Sequence, residues 1–312
     1  MKVSYTNQRR SDYAEVSGRC RGTATLLICN RYPAVLYGRT QESCERGLRS
    51  VRAALDDLIA AGVLQEAQRD KALTYLSATT AYEDLAGCQF VIESAAETID
   101  TKREVMAHLE AVCAPEAILS STTSAISAKE IAAEMKHPER FLVAHSWNPP
   151  HLVPLVEIVR CAATTQETVD REVALLEDLG RVPVVLKKDV PGFIGNRLHH
   201  ALFREAEHII DEGIADAEDV DKTILYSIGQ RYSSIGLMEY WDHLPVTLQR
   251  NIQTYLFPHL CNADRPSHLL DEKTATGEDL YHWTPERETD YELRKRKPFY
   301  RFATVKLDDE EA

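Results

Sequence analysis

The chain has 312 residues, 44% hydrophobic and 27% charged, with 36 basic against 49 acidic residues and a formal net charge of −13. That length holds two domains with ordinary cores, and the acidic balance argues against a nucleic-acid partner, which needs Lys and Arg clustered on one face. No apolar run approaches the ~20 residues of a membrane span and the N-terminus lacks a secretory apolar core, so no membrane partner is expected and cytoplasmic residence is the default.

Residues 4 to 31 are Arg-rich, carry Gly18 and Gly22 as their only glycines, and show no clean apolar strand ahead of them. From Pro33 the pattern changes abruptly. Ala34 to Tyr37 predicts a strand, and Cys44, Leu48, Val51, Leu55, Leu58 and Ile59 form an apolar helical stripe ending at Gly62. Phe90 to Glu93 predicts another strand. Glu97 and Lys102 come after it, Glu97 standing where an acid favours the N-terminus of a helix from Thr101.

Ala117-Ile118-Leu119 leads into the hydroxyl cluster Ser120-Ser121-Thr122-Thr123-Ser124, at the kind of strand end where α/β sheets place ligand groups. Ser124 equally fits a capping hydroxyl before a helix at Ala128-Lys129-Glu130. Next, Phe141 to Ala144 and Leu152 to Val159 read as buried strands, and Asn148-Pro149-Pro150 between them signals a turn. A hairpin-like reversal there brings Glu157 beside His145. An imidazole donating one N–H to a carboxylate has its tautomer fixed and its basicity raised, which suits proton removal from a substrate hydroxyl. The plain alternative is a satisfied core histidine.

Val169, Val173, Leu176 and Leu179 make a helical stripe closed by Gly180, and Val182 to Leu186 is the next strand. Pro191 and Gly192 stop it, and Asn196 begins a helical pattern as an N-cap or first-turn residue. After Lys188 only helices are predicted. Leu198, Leu202, Ala206 and Ile209 form one stripe ending at Gly213, and Asp216 with Asp219 opens a helix at Ala217. From Thr284 the chain is highly charged, a loosely ordered or docked tail; Arg294-Lys295-Arg296-Lys297 within it reads as a solvated helix end or as a contact for a phosphate-bearing group such as CoA. Seven scattered cysteines form neither a disulfide framework nor a thiolate metal spacing, and no metal is expected.

Three motifs in this order, SSTTSA, AHSWNPPHLVPLVEIV and KDVPGFIGNRL, resemble the NAD-dependent 3-hydroxyacyl-CoA dehydrogenase family over roughly Pro33 to Trp283. Within it they are similar to the branch of smaller 3-hydroxy acid enzymes that includes lambda-crystallin and L-carnitine dehydrogenase. The resemblance implies an α/β Rossmann-type N-terminal domain over residues 1–187 with an atypical first βα turn, and an all-α domain over residues 188–312 for substrate binding and homodimer formation. It implies NAD(P)-dependent oxidation of the 3-hydroxyl of a 3-hydroxyacyl-CoA or small 3-hydroxy acid to the 3-keto product. His145 is then the general base, Glu157 holds its imidazole, Ser124 hydrogen-bonds the substrate oxygen, and Asn196 donates to that oxygen or positions His145. Thr122 replaces the family's Asn and Ala125 its second Ser. Glu97 and Lys102 match polar positions on the nicotinamide and substrate side.

The cofactor half departs from the family. A dinucleotide site needs a strand, a Gly-rich turn against the pyrophosphate, a helix N-terminus and then an acid for the ribose. Residues 4 to 31 do not supply that turn in recognisable form. Three readings are open: a divergent turn using Gly18 and Gly22 as cofactor-binding glycines, a structural or binding relative that has lost the nucleotide site, or a reading-frame change in the gene. The abrupt start at Pro33 favours the third. In addition, Gly38-Arg39-Thr40 comes after Tyr37 where an NAD enzyme carries its acid, and a guanidinium there neutralises a 2′-phosphate, so NADP stands beside NAD; Arg39 as a solvated loop residue is the alternative.

Overall fold

The computed structural model describes the backbone of residues 13–16 and the chain from 21 to 307. Strand β1 (Tyr13–Val16) is followed by helix α1 (Arg21–Cys29), in which every residue from Gly22 to Cys29 is buried. The expectation that a family-like pattern starts only at Pro33 is therefore corrected. Thr23 to Cys29 is a central helix buried all round, so it shows no amphipathic period by which to be read. Arg31 ends this helix at φ 64, a left-handed conformation in which glycine meets no Cβ penalty.

Strand β2 (Ala34–Tyr37) and helix α2 (Gln41–Ala60) match the predicted pattern, with a capping box between Thr40 and Ser43 at the start of the helix. Helix α3 (Glu66–Leu73) leads into strand β3 (Leu76–Thr79), which is only partly covered and so carries no continuous apolar run. Strand β4 (Phe90–Glu93), helix α4 (Ile99–Val112), strand β5 (Ile118–Ser121) and helix α5 (Ala128–Ala132) come next. Strand β6 (Phe141–Ser146) turns back as strand β7 (Leu155–Arg160), and helix α6 (Gln166–Asp178) precedes strand β8 (Val182–Val185).

These strands form one sheet in the order β3-β2-β1-β4-β5-β6-β7-β8. All neighbours are parallel except β6 and β7. The order reverses at β1, which lies between β2 and β4, so the switch-point crevice of a doubly wound sheet opens at its carboxyl end. One core cluster gathers Val91, Met106, Leu119 and Phe141; a second, Leu27, Val51, Leu55 and Ile118; a third, Leu142, Ile158 and Val169.

The chain divides into two compact units, Met1–Ile194 with Asp290–Ala312, and Gly195–Thr289. The second unit is helical: α7 (Gly195–Asp211), α8 (Ala217–Thr223), α9 (Gly229–Tyr232), α10 (Leu237–His243), α11 (Val246–Leu256) and α12 (His268–Thr276), with Ile224–Ile228 a π-helical turn. The boundary thus falls after Ile194 rather than after residue 187. The residues beyond α12 run through α13 (Pro285–Arg296) and from Asp290 belong with the first unit, not with the second domain as expected.

The tail is docked. Lys306 N donates to Cys29 O at 2.8 Å, Arg181 Nη2 to Phe302 O at 2.6 Å and Tyr300 Oη to Asp57 Oδ2 at 2.8 Å. Leu307, 2% exposed, joins the cluster around α1. Gly180, at φ 68, leaves room for the tail: an added Cβ would stand 2.3 Å from Thr304 Cγ2. No helix among the described residues is long and apolar enough to cross a membrane.

Candidate active site

The antiparallel register sets His145 on β6 directly opposite Glu157 on β7. Both are buried, at 6% and 1% exposure, and Nδ1 of His145 lies 3.0 Å from Oε2 of Glu157. A charge buried this deeply must be met by donors. Trp147 Nε1 donates to Oε2 at 3.3 Å, and the backbone N–H of Ile194 donates to Oε1 at 2.8 Å. Three donors from two segments, the end of β6 and the residues before α7, therefore fix the carboxylate, and the carboxylate in turn fixes the ring. The Phe193 ring packs 5.4 Å from the imidazole, held there with Phe193 at φ 50, a strained conformation for a bulky residue. With Nδ1 on Glu157, Nε2 is the nitrogen available to a reacting hydroxyl.

A cavity of about 640 Å³ opens at the carboxyl end of the sheet. Ser94 and Ala95 from beyond β4, Thr122 and Ser124 from beyond β5, and Ser146 and Asn148 at the end of β6 form its wall, with Gly22 of α1. Glu97 and Lys102 line it too. Gly22 is a close-packing glycine: a Cβ there would meet Pro150 Cδ at 2.6 Å, so α1 approaches the β6–β7 turn only because no side chain intervenes. Gly18 lies outside the described residues.

Lys102, 1% exposed, sits between two carboxylates, 3.1 Å from Glu93 Oε2 and 3.2 Å from Glu97 Oε2. Ser121 Oγ donates to Glu93 at 2.5 Å. Glu97 accepts from Thr123 Oγ1 and from the backbone N–H groups of Ser124 at 3.0 Å and Ala125 at 3.3 Å. Burial raises the Glu97 carboxyl, but the Thr123 hydroxyl and the Lys102 charge outweigh it and hold it below its ordinary value. Glu97 therefore ties the loop carrying Ser124 to the loop after β4. Ser124 is not the helix cap: Ser127 caps α5, its hydroxyl accepting from Lys129 N, which leaves Ser124 exposed in the cavity wall.

His151 lines the same cavity with both ring nitrogens buried and without a hydrogen-bond partner. Burial pushes it down to about 4, so the imidazole is neutral and offers one donor and one acceptor. A wall that mixes the hydroxyl residues Ser94, Thr122, Ser124 and Ser146 with charged residues such as Lys295 and Arg296 fits a polar, charged group such as a dinucleotide. A second cavity, about 520 Å³, lies beyond β2 and is lined by Tyr37, Gly38, Arg39, Thr40 and Arg46.

The expected residues thus fall into groups. Gly22, Glu97, Lys102 and Ser124 share one cavity, and Arg39 lies in the other. His145 and Glu157 contact each other on β6 and β7 and stand in the wall of neither cavity, although Ser146, next in the strand, does. Asn196 lies in the first turn of α7, in the second unit. Glu93, Trp147, His151 and the Ile194 N–H were not singled out in the sequence. Trp147 was legible as an indole donor two residues from His145; the Ile194 N–H was not, because backbone donors carry no letter. In the tail cluster, Arg296 pairs with Asp57 at 3.4 Å and Glu292 at 3.1 Å, and Lys295 with Glu292 at 3.2 Å. No group of His, Cys, Asp or Glu among the described residues is arranged to hold a metal ion.

Comparison with known proteins agrees with this layout. The profile of the 3-hydroxyacyl-CoA dehydrogenase NAD-binding domain matches residues 20–190, and that of the C-terminal domain matches residues 192–280. L-carnitine dehydrogenase of Oceanobacillus iheyensis is 33% identical over 215 residues, covering 69% of this chain and 69% of that protein. The human lambda-crystallin homolog is 32% identical over 221 residues, covering 70% and 69%. Among solved structures, 5-formyl-3-hydroxy-2-methylpyridine 4-carboxylic acid 5-dehydrogenase, an NAD+-dependent dismutase, superposes with a TM-score of 0.84 at 28% identity over 94% of this chain and 97% of that one. The chain belongs to the 3-hydroxyacyl-CoA dehydrogenase family of NAD-dependent oxidoreductases.

Proposed function

We propose that this protein oxidises the 3-hydroxyl of a small 3-hydroxy acid, or of its CoA thioester, to the ketone, with His145 as general base. The observation that carries the reading is the buried His145–Glu157 pair at 3.0 Å, with its carboxylate held by Trp147 and by the Ile194 N–H. Nε2 of His145 takes the hydroxyl proton, and Glu157 stabilises the imidazolium that results. NAD, when bound, supplies the hydride acceptor. Gly22 and the loops carrying Ser94, Glu97 and Ser124 hold it at the carboxyl end of the sheet, Glu97 and Lys102 by fixing those loops against each other. Ser124, exposed in the cavity wall, meets the substrate oxygen. Asn196 assists there by the role its motif implies.

Free acids are favoured over long acyl thioesters, because the relatives include an L-carnitine dehydrogenase and the turn sequence NPPHLVPLVE leans the same way. Two copies pair through the second unit, where Leu198, Leu225, Tyr226 and Tyr255 stand 53–83% exposed on helices. The other reading, a binding relative without the reaction, is favoured only by the glycine-poor segment ahead of α1. Titration with NADH and then assay of L-carnitine, other 3-hydroxy acids and 3-hydroxybutyryl-CoA separates the two. NADH binding with substrate-dependent NADH formation from NAD+ supports the dehydrogenase; folded protein that binds no dinucleotide supports the other.

A further inference from the structure

In sheets of this topology an acidic side chain at the end of the second strand receives the adenosine ribose hydroxyls and repels a phosphate on the 2′ oxygen. Here β2 ends in Tyr37, whose ring stacks on Tyr82 with centroids 4.2 Å apart. The next residue, Gly38, has no side chain and no room for one. A Cβ there would stand 2.3 Å from Ser43 Oγ, 2.9 Å from Cys44 Sγ and 3.0 Å from the Cys44 backbone nitrogen. The backbone atom and the buried thiol cannot swing away, so no carboxylate reaches this position. Arg39 then stands exposed in the cavity wall, without an ion pair among the described residues. Arg46, on the first turns of α2, lines the same cavity; its contact with Glu42 is 3.7 Å between two exposed side chains, too weak to withhold it from a phosphate. Glu104 on α4 is the one acid among the residues lining this cavity.

Two guanidinium groups where a carboxylate would exclude phosphate are a recognition site for a phosphate monoester. We propose that the cavity beside β2 accepts the 2′-phosphate of NADP(H) as readily as the free ribose of NAD(H), with Arg39 as the receiving residue. The inference rests on the dehydrogenase reading, and it makes this chain a dual-cofactor enzyme through a departure at Gly38 and Arg39.

Binding, measured without substrate by titrating the full chain with NADH and NADPH and monitoring fluorescence or heat, decides it. The expected result is an NADPH affinity within tenfold of that for NADH, and 2′,5′-ADP displacing NADH more strongly than 5′-ADP does. Arg39→Ala, a change on an exposed loop, should weaken NADPH at least fivefold and NADH less than twofold, while Arg39→Lys keeps part of the difference. NADH binding with NADPH more than tenfold weaker, or Arg39→Ala weakening both alike, overturns the inference and leaves the dehydrogenase reading standing. Binding of neither dinucleotide overturns both.

Discussion

The two units solve the burial problem differently. In the first, apolar side chains from the strands and from α1, α2, α4 and α6 fill clusters in which Phe141, Leu55 and Leu119 are wholly covered. In the second, no residue between Gly195 and Thr289 is buried, and apolar stripes such as Leu198, Leu202 and Phe203 on α7 remain 43–56% exposed. A sheet wrapped by helices makes its own interior, whereas a few helices with unmatched faces need a further surface to reach ordinary stability. Chemistry respects the same division. The buried imidazole–carboxylate pair is confined to the unit that excludes water by itself.

Core substitutions separate the two units most sharply. Phe141→Ala should cost about 3–5 kcal/mol in denaturant unfolding at any protein concentration. Phe203→Ala, at a side chain 44% exposed, should cost little in a monomer but lower the melting temperature in a concentration-dependent way if copies pair there. A concentration-independent cost of the core size at Phe203 would mean that the second unit buries this ring within one copy.

The next effect is a pH dependence confined to the first unit. Glu172 on α6 is fully buried without a strong partner, and burial raises its carboxyl to about 7. A folded-state value above the unfolded one gives stability that is present below about pH 4.5 and lost as pH rises toward 7. Glu172→Gln should therefore leave stability unchanged at pH 4 and add up to about 3 kcal/mol above pH 7. His151 has the opposite sign: its value is depressed from 6.5 to about 4, so its contribution is lost as pH falls through that window. A Glu172→Gln gain that is the same at pH 4 and pH 8 would show that this carboxyl ionises normally.

The smallest effect is backbone relief. Arg31→Gly, at φ 64, should stabilise the first unit by about 1 kcal/mol, read as a rise in melting temperature; a fall would mean that the Arg31 side chain contributes more than the conformation costs.

The His145–Glu157 pair was legible because an imidazole and a carboxylate interrupt two otherwise apolar strands across a proline turn, and antiparallel pairing leaves such residues one natural register. The helical stripes of α2, α6 and α7 were legible for a like reason: one face is apolar and one is not. The hidden elements had no such contrast. α1 is covered on all sides, and β3 sits at an edge with no residue fully covered. The tail follows a highly charged stretch that left loose and docked readings open, and the anchors Tyr300, Thr304 and Leu307 show in three dimensions which of them holds. Arg39 was visible as a cation after a strand, but the closed space at Gly38 that keeps an acid away was not.

His145→Gln, assayed side by side for NADH affinity and for turnover of the substrate that the wild-type chain oxidises, decides whether the buried imidazole is the base. The predicted result is NADH binding within twofold of wild type and turnover lower by about 10²–10⁴ or more. Turnover at the wild-type rate would remove His145 from the reaction.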